Sequence, residues 1–153
     1  MTDYRHTQVG WKLMAGTMIM LGLATALTLL LSPATRAAAP WLMYGLFAII
    51  ALTVALFAAL IVEVDATEIR VRFGIGLVRK TMAIADVVRC EPIRTRVWWG
   101  WGVHWTPSGW LYNVGGRDAV RVVLAHERPV IIGSDEAERL KAAIDARIAA
   151  RQR

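Results

Sequence analysis

The stretch "WLMYGLFAIIALTVALFAALIV", Trp41 to Val62, runs for twenty-two residues without a charge. As a helix it is long enough for the ~30 Å hydrocarbon core of a bilayer. Upstream, "LMAGTMIMLGLATALTLLL", Leu13 to Leu31, is a second uncharged run of nineteen residues. Residues 32–40 between them leave room only for a tight turn carrying Arg36. The two runs predict an antiparallel pair of transmembrane helices, 13–31 and 41–62, with a short external turn at 32–40. Residues 1–12 become a tail and 63–153 a separate domain. A signal peptide cut after Ala37–Ala39 is the competing reading. It is disfavoured because the first run exceeds the usual ~7 to 15 apolar residues and Pro40 would follow the cut.

Basic residues orient this arrangement. Arg5 and Lys12 precede the first run, Arg36 alone lies in the turn, and Arg70, Arg72, Arg79 and Lys80 follow the second. The bias toward positive charge on the cytoplasmic side predicts a multi-pass inner-membrane protein with both termini in the cytoplasm. Trp11, Trp41 and Tyr44 suit the aromatic belts at the two membrane surfaces. Gly22 and Ala26 in one run, and Ala51, Ala55 and Ala59 in the other, repeat small residues every fourth position and are candidates for helix–helix packing. Neither run contains Asp, Glu, Lys, Arg or His, so the usual marks of a transport path are missing and the pair is read as an anchor. Composition agrees: 56% of the 153 residues are hydrophobic and mean hydropathy is +0.44.

Past Val62 the period becomes two. In "EIRVRF" Ile69, Val71 and Phe73 share one face and Glu68, Arg70 and Arg72 the other, as in a half-buried strand. "VEVDATE" is its hairpin partner, turning near Ala66 and Thr67; "FGIG" turns through Gly74 and Gly76 into "LVRKTMAI". "DVVRCEPI" is a fourth strand, broken by Pro92. "GWLYNV", "DAVRVVLA" and "PVIIG" follow as short apolar runs, so strands extend to about residue 133. The chain then changes to "SDEAERLKAAIDARIAARQR", where Ala137, Leu140, Ile144 and Ile148 form one helical stripe over about 135–150. Ser134 or Asp135 can cap it, with Glu138 in capping-box relation to Asp135.

Strands closed by one C-terminal helix, together with "RFGIGLVRKTMAIADV", "GWGVHWTPSGWLYNVGGRDAV" and "PVIIGSDEAERLKAAI", carry a resemblance. Residues 60–150 resemble the bacterial pleckstrin-homology-like (PH-like) domains that follow a pair of membrane helices. The resemblance implies an antiparallel barrel of about seven strands, partly open, with the C-terminal α-helix capping one end. The expected fold class is thus an α+β membrane protein with a cytoplasmic PH-like domain. The resemblance implies an interaction or assembly module and no reaction. Arg70 and Arg72 are no phosphoinositide site, because they occupy the solvent face of an alternating strand beside Glu63 and Asp65.

The most unusual stretch is "RTRVWWGWGVHWTPSGW", Arg94 to Trp110, which holds five of the seven tryptophans. Read as one strand from Thr95 to Trp105, it puts Trp99, Trp101 and Trp105 on an apolar face as core. Arg96, Trp98 and His104 then share the other face with Gly100 and Gly102. Trp98 stands between core and surface on alternation alone. Arg94, Arg96, Trp98 and His104 are the candidate membrane or partner surface, since tryptophan and arginine are enriched at bilayer interfaces and binding hot spots.

Chemistry has little footing. Cys90 and His104 are isolated in strands and His126 sits in a turn, without metal-ligand spacing. "FGIGLV" lacks the third glycine of a dinucleotide loop and the lysine of a phosphate loop. No cofactor is expected. From Glu63 onward fifteen basic residues oppose eleven acidic ones, a net of 15 − 11 = +4, which suits an anionic lipid surface. The basic residues are scattered and form no nucleic-acid motif. The expected function is a non-catalytic, membrane-anchored binding or scaffolding module. Its expected partners are the bilayer itself, anionic lipid headgroups or another membrane protein; a homo-oligomer is compatible with the helix pair. Two alternatives stand: a subunit whose transmembrane pair makes the specific contacts, and an accessory factor or enzyme acting on a lipid headgroup.

Overall fold

A computed structural model describes residues 4–30 and 33–151, with side chains at all but positions 13, 29, 33–39, 42 and 97. Residues 1–3 of the expected tail, Leu31 and Ser32, and the side chains of Arg36 and Ala37–Ala39 therefore lie outside the described residues. The elements run β1 (Tyr4–Val9), α1 (Trp11–Leu30), α2 (Pro33–Phe57), β2 (Ala59–Val64), β3 (Glu68–Phe73) and β4 (Arg79–Ala83). Then come β5 (Val87–Arg94), β6 (Gly102–Thr106), β7 (Gly109–Asn113), β8 (Asp118–Leu124), β9 (Val130–Gly133) and α3 (Ala137–Arg151).

The expected tail contains a strand. β1 pairs antiparallel with β2 from Tyr4–Val64 to Val9–Ala59, and the Gly10 amide donates to the Ala58 carbonyl at 2.6 Å just beyond the ladder. The second apolar run is divided at Ala58. Its last residues, Ala59–Val62, join β2, where Leu60 and Val62 point into the core and Ile61 is half-buried. Residues 33–40, expected as a turn, belong to α2.

These boundaries correct the transmembrane expectation. Among the described residues no helix is long and apolar enough to cross a membrane. The helices also do not keep the expected spans: α1 begins at Trp11, and α2 takes in residues 33–40 and ends at Phe57, so 13–31 and 41–62 are not the units of the chain. The expected multi-pass inner-membrane placement with cytoplasmic termini loses its support with them.

The expected seven-stranded, partly open barrel is also corrected. Among the described residues nine strands form two open sheets, β1-β2-β3-β4 and β5-β8-β9-β7-β6, in which β7 and β9 run parallel and every other pairing is antiparallel. One core lies between them. Leu60, Val62, Val64, Ile69, Val71 and Phe73 from the first sheet meet Val120, Val122, Val130 and Ile132 from the second, and α3 adds Leu140 and Ile144. Alternation explains the first contribution: successive strand residues face opposite sides, so Arg70 and Arg72 go outward when Val71 goes in. Outside, Arg72 donates to Glu63 at 2.9 Å and Arg70 to Asp65 at 2.7 Å, so both arginines are paired, as their solvent-face position predicts.

Pro92 does not break β5. The strand is at the edge of its sheet with β8 as its single neighbour, a position where a missing N–H costs no ladder bond. At the start of α3 the Ser134 hydroxyl accepts from the Glu136 amide at 3.1 Å, while Asp135 turns to His6 at 2.6 Å.

Candidate functional site

The tryptophan stretch is not one strand. Chain leaves β5 at Arg94, makes a 3₁₀ turn over Val97–Trp99, and enters β6 only at Gly102. Gly100 and Gly102 take φ of +68° and +100°, in the left-handed half of backbone space that glycine adopts without steric cost. Each reversal breaks the alternation on which the face assignment of Trp99, Trp101 and Trp105 depended.

Two fastenings hold this loop. At its start Thr95 is buried; its amide and hydroxyl both donate to the Arg117 carbonyl, at 2.6 and 3.1 Å. At its end Trp99 packs on Leu111, Ala119 and Ile131, a small apolar cluster on the outer face of the second sheet. The Trp99 amide donates to the Arg96 carbonyl at 3.0 Å and closes the turn. Trp98, between the fastenings, is 76% exposed, and the Arg96 guanidinium stands 5.4 Å from its ring centroid. A cation over an indole face is attracted by the ring quadrupole, by about 0.5–1 kcal/mol at an exposed site.

Of the four residues singled out as a surface, Arg96 and Trp98 are brought together. Arg94 lies opposite Asp118 across the β5–β8 ladder, with its Nε 3.3 Å from that carboxylate. It lines a separate open cleft of about 600 Å³ toward Asp135–Arg139 at the start of α3. His104 is half-buried on β6, paired across the ladder with Leu111, and its Nε2 has no hydrogen-bond partner among the described residues. It is not part of the rim.

The tryptophans expected in the core divide. Trp99 is packed as expected. Trp101 and Trp105 are exposed, which corrects the expectation. Trp105 faces Trp110 directly across β6–β7, with the Arg128 guanidinium 5.8 Å from the Trp105 ring. Trp101 lies against the helix pair, lining an apolar groove with Gly16, Thr17, Met20, Leu46 and Ile50, beside Lys12. The two positive-φ glycines are the signal in the sequence that could have warned of both departures.

The helix pair packs on a different seam from the one small residues suggested. Gly22, Ala26, Ala51 and Ala55 are exposed, and Ala59 belongs to β2. Among the described residues the half-buried ones are Thr17, Leu21, Ala24, Thr25 and Thr28 on α1, with Met43, Leu46, Ile50, Thr53, Val54, Leu56 and Phe57 on α2. The Thr28 hydroxyl is 3.6 Å from Met43 Sδ, which fixes the helices as antiparallel neighbours.

Cys90 is buried under α3, with Sγ donating to Asp145 Oδ1 at 3.1 Å. Burial first, and then the Asp145 carboxylate, push its thiol up to about 12. A thiol that stays protonated is a poor nucleophile. Among the described residues no group of three His, Cys, Asp or Glu could hold a metal ion. Compared with protein-family models, curated proteins and solved structures, the chain matches none.

Proposed function

We propose that this protein is a non-catalytic binding and scaffolding module, and that it docks an acidic protein partner on the Trp98–Arg96 rim. The observation that carries the reading is the exposed Trp98 ring under the Arg96 guanidinium, on a loop fastened at Thr95 and Trp99. A rigid aromatic side chain set out in solvent loses little conformational entropy on binding, and tryptophan and arginine are both among the residue types enriched at hot spots. Charge selects the class of partner: the chain carries +6, and the cation at the Trp98 ring is Arg96. Kinship with the bacterial PH-like domains is part of the same proposal. It is supported by the order of short strands followed by one packed C-terminal helix and by the "GWGVHWTPSGWLYNV" segment.

The test is photo-crosslinking in cells with a photoreactive amino acid at position 98, and at exposed Ala146 on α3 as control. Protein adducts specific to position 98, lost in Arg96→Ala, are expected. Equal adducts at both positions, or lipid adducts alone, would overturn the reading.

A further inference from the structure

The surface of α1 and α2 asks for an occupant of its own, distinct from whatever binds the Trp98 rim. On α1 three consecutive residues, Met18, Ile19 and Met20, are 64%, 71% and 64% exposed. Successive residues of a helix point 100° apart, so these three cover some 200° of its circumference. Leu23, Leu27, Phe47, Ile49 and Leu52 extend the exposed apolar surface along both helices. A helix that docks on one protein face shows one apolar stripe; a helix apolar all round belongs in an apolar surrounding.

The polar groups of the pair fit such a surrounding. Every described threonine there donates its hydroxyl to a carbonyl of its own helix: Thr17 to Met14 at 2.8 Å, Thr25 to Leu21 at 2.9 Å, Thr28 to Ala24 at 2.8 Å and Thr53 to Ile49 at 2.8 Å. None of them needs water, and an apolar medium demands that polar groups be satisfied internally. Between Lys12 and Glu63 the sequence has one ionisable residue of the Asp, Glu, Lys, Arg and His set, Arg36.

The base of the pair has the chemistry of an anionic lipid surface. The Lys12 amine stands 5.9 Å from the Trp11 ring centroid, and Trp101 lies against the groove beside Lys12. Ile75 and Leu77 are exposed in the turn between β3 and β4 that meets the end of α2 at Ala55. Cation, indole and apolar side chains at one level are the composition that headgroup regions favour, and a +6 chain is drawn to anionic lipid.

We infer that the α1–α2 pair beds into the apolar layer of an anionic lipid surface, with Trp11, Lys12 and Trp101 at headgroup level. Immersion of this kind does not require that either helix cross the layer. A second copy of the chain is the competing occupant.

The test uses the full chain with an environment-sensitive fluorophore on Ile19→Cys, and a control label on Ala146→Cys; buried Cys90 is left in place. Each protein is mixed with vesicles of phosphatidylcholine and phosphatidylglycerol, or of phosphatidylcholine alone, with or without bromine on the acyl chains. The expected result is at least fivefold stronger acyl-chain quenching at position 19 than at 146, and flotation that is stronger with the anionic vesicles. Met18→Glu combined with Ile19→Glu alters only exposed positions and is expected to cut flotation at least tenfold. Equal quenching at both positions would overturn the inference, as would a discrete oligomer that ignores vesicles. Arg96→Ala and Trp98→Ala are expected to leave quenching at position 19 unchanged, so a failure of the partner proposal and a failure of this one are separable.

Discussion

A first side-chain carbon on Gly74 would lie 2.0 Å from the carbonyl oxygen of Ala55, so the turn after β3 is pressed directly onto the last turn of α2. Next to that contact the Ile75 amide donates to the same carbonyl at 3.2 Å, and the Gly74 amide donates to Ala59 at 2.8 Å. Gly74 also takes φ of +42°. Gly74→Ala therefore forces backbone apart where the helix pair joins the sheet. A loss of about 3 kcal/mol or more is expected, read as a fall in melting temperature, against about 1–2 kcal/mol for Gly76→Ala, whose added carbon meets nothing within 4 Å and whose cost is that of its φ of +86° alone.

Asp65 organises the turn between β2 and β3. Its Oδ1 accepts from the Thr67 amide at 2.8 Å, the Glu68 amide at 2.9 Å and the Thr67 hydroxyl at 3.0 Å. Asp65→Ala is expected to cost about 1–2 kcal/mol in urea unfolding near neutral pH. The Thr67 amide first, and then that of Glu68, hold the carboxyl below its ordinary value of 3.8. A depressed carboxylate contributes stability that is present above the unfolded pKa and lost as pH falls through the folded one. The difference between the natural chain and Asp65→Ala should thus be full above about pH 5 and shrink below pH 3.8.

Neighbouring tryptophans should separate stability from binding. Trp99→Ala removes the cover from Leu111, Ala119 and Ile131 and is expected to cost about 2–4 kcal/mol. Trp98→Ala removes an exposed ring and is expected to change stability by no more than about 0.5 kcal/mol. Its effect belongs in partner capture, where a loss of about 2 kcal/mol, some thirtyfold in affinity, is expected of a hot-spot tryptophan.

Cys90 should resist alkylation while the chain is folded. With its thiol pushed up to about 12 and its sulfur under α3, iodoacetamide at pH 8 is expected to label it only on unfolding. Mass spectrometry over a urea titration checks this; labelling that precedes the loss of secondary structure would show α3 opening by itself. Asp145→Ala removes the sulfur's acceptor and a charge that holds the proton on, so faster labelling of the folded variant is expected.

Much of the chain past Val62 was legible. β3, β8 and α3 announce themselves because one face of each is apolar at the period of its element, and the turn at Asp65–Thr67 has the residues such turns use. β1 was illegible for a physical reason: its inward-facing residues are Tyr4, His6 and Gln8, while Val9 is exposed, so hydropathy reads it inside out. The division at Ala58 was hidden because helix and strand meet inside an unbroken apolar run, where periodicity has nothing to measure. Small residues at every fourth position suggested one helix seam, but threonines satisfied within their own helix could face the partner helix instead. At the rim, the tryptophans were visible and the two reversals at Gly100 and Gly102 were not, so alternation left Trp98 undecided between core and surface and put the exposed Trp101 and Trp105 in the core.

The register of β1 on β2 has a further consequence. Val9 and Ala59 are partners in that ladder, so residues 10–58, forty-nine of the chain's 153, connect two adjacent antiparallel strands. Topologically the whole helical pair occupies the place of a tight turn, and the Gly10–Ala58 hydrogen bond marks where such a turn would begin. Excising 11–57 and bridging the gap with a few glycines would leave every strand pairing of both sheets and α3 in place, and would take from the margin of the shared core only Phe57, whose ring packs on Phe73. The chain is therefore modular by construction: one part can be removed and the other kept, and the two kinds of binding assigned to them can be taken apart in a single cut.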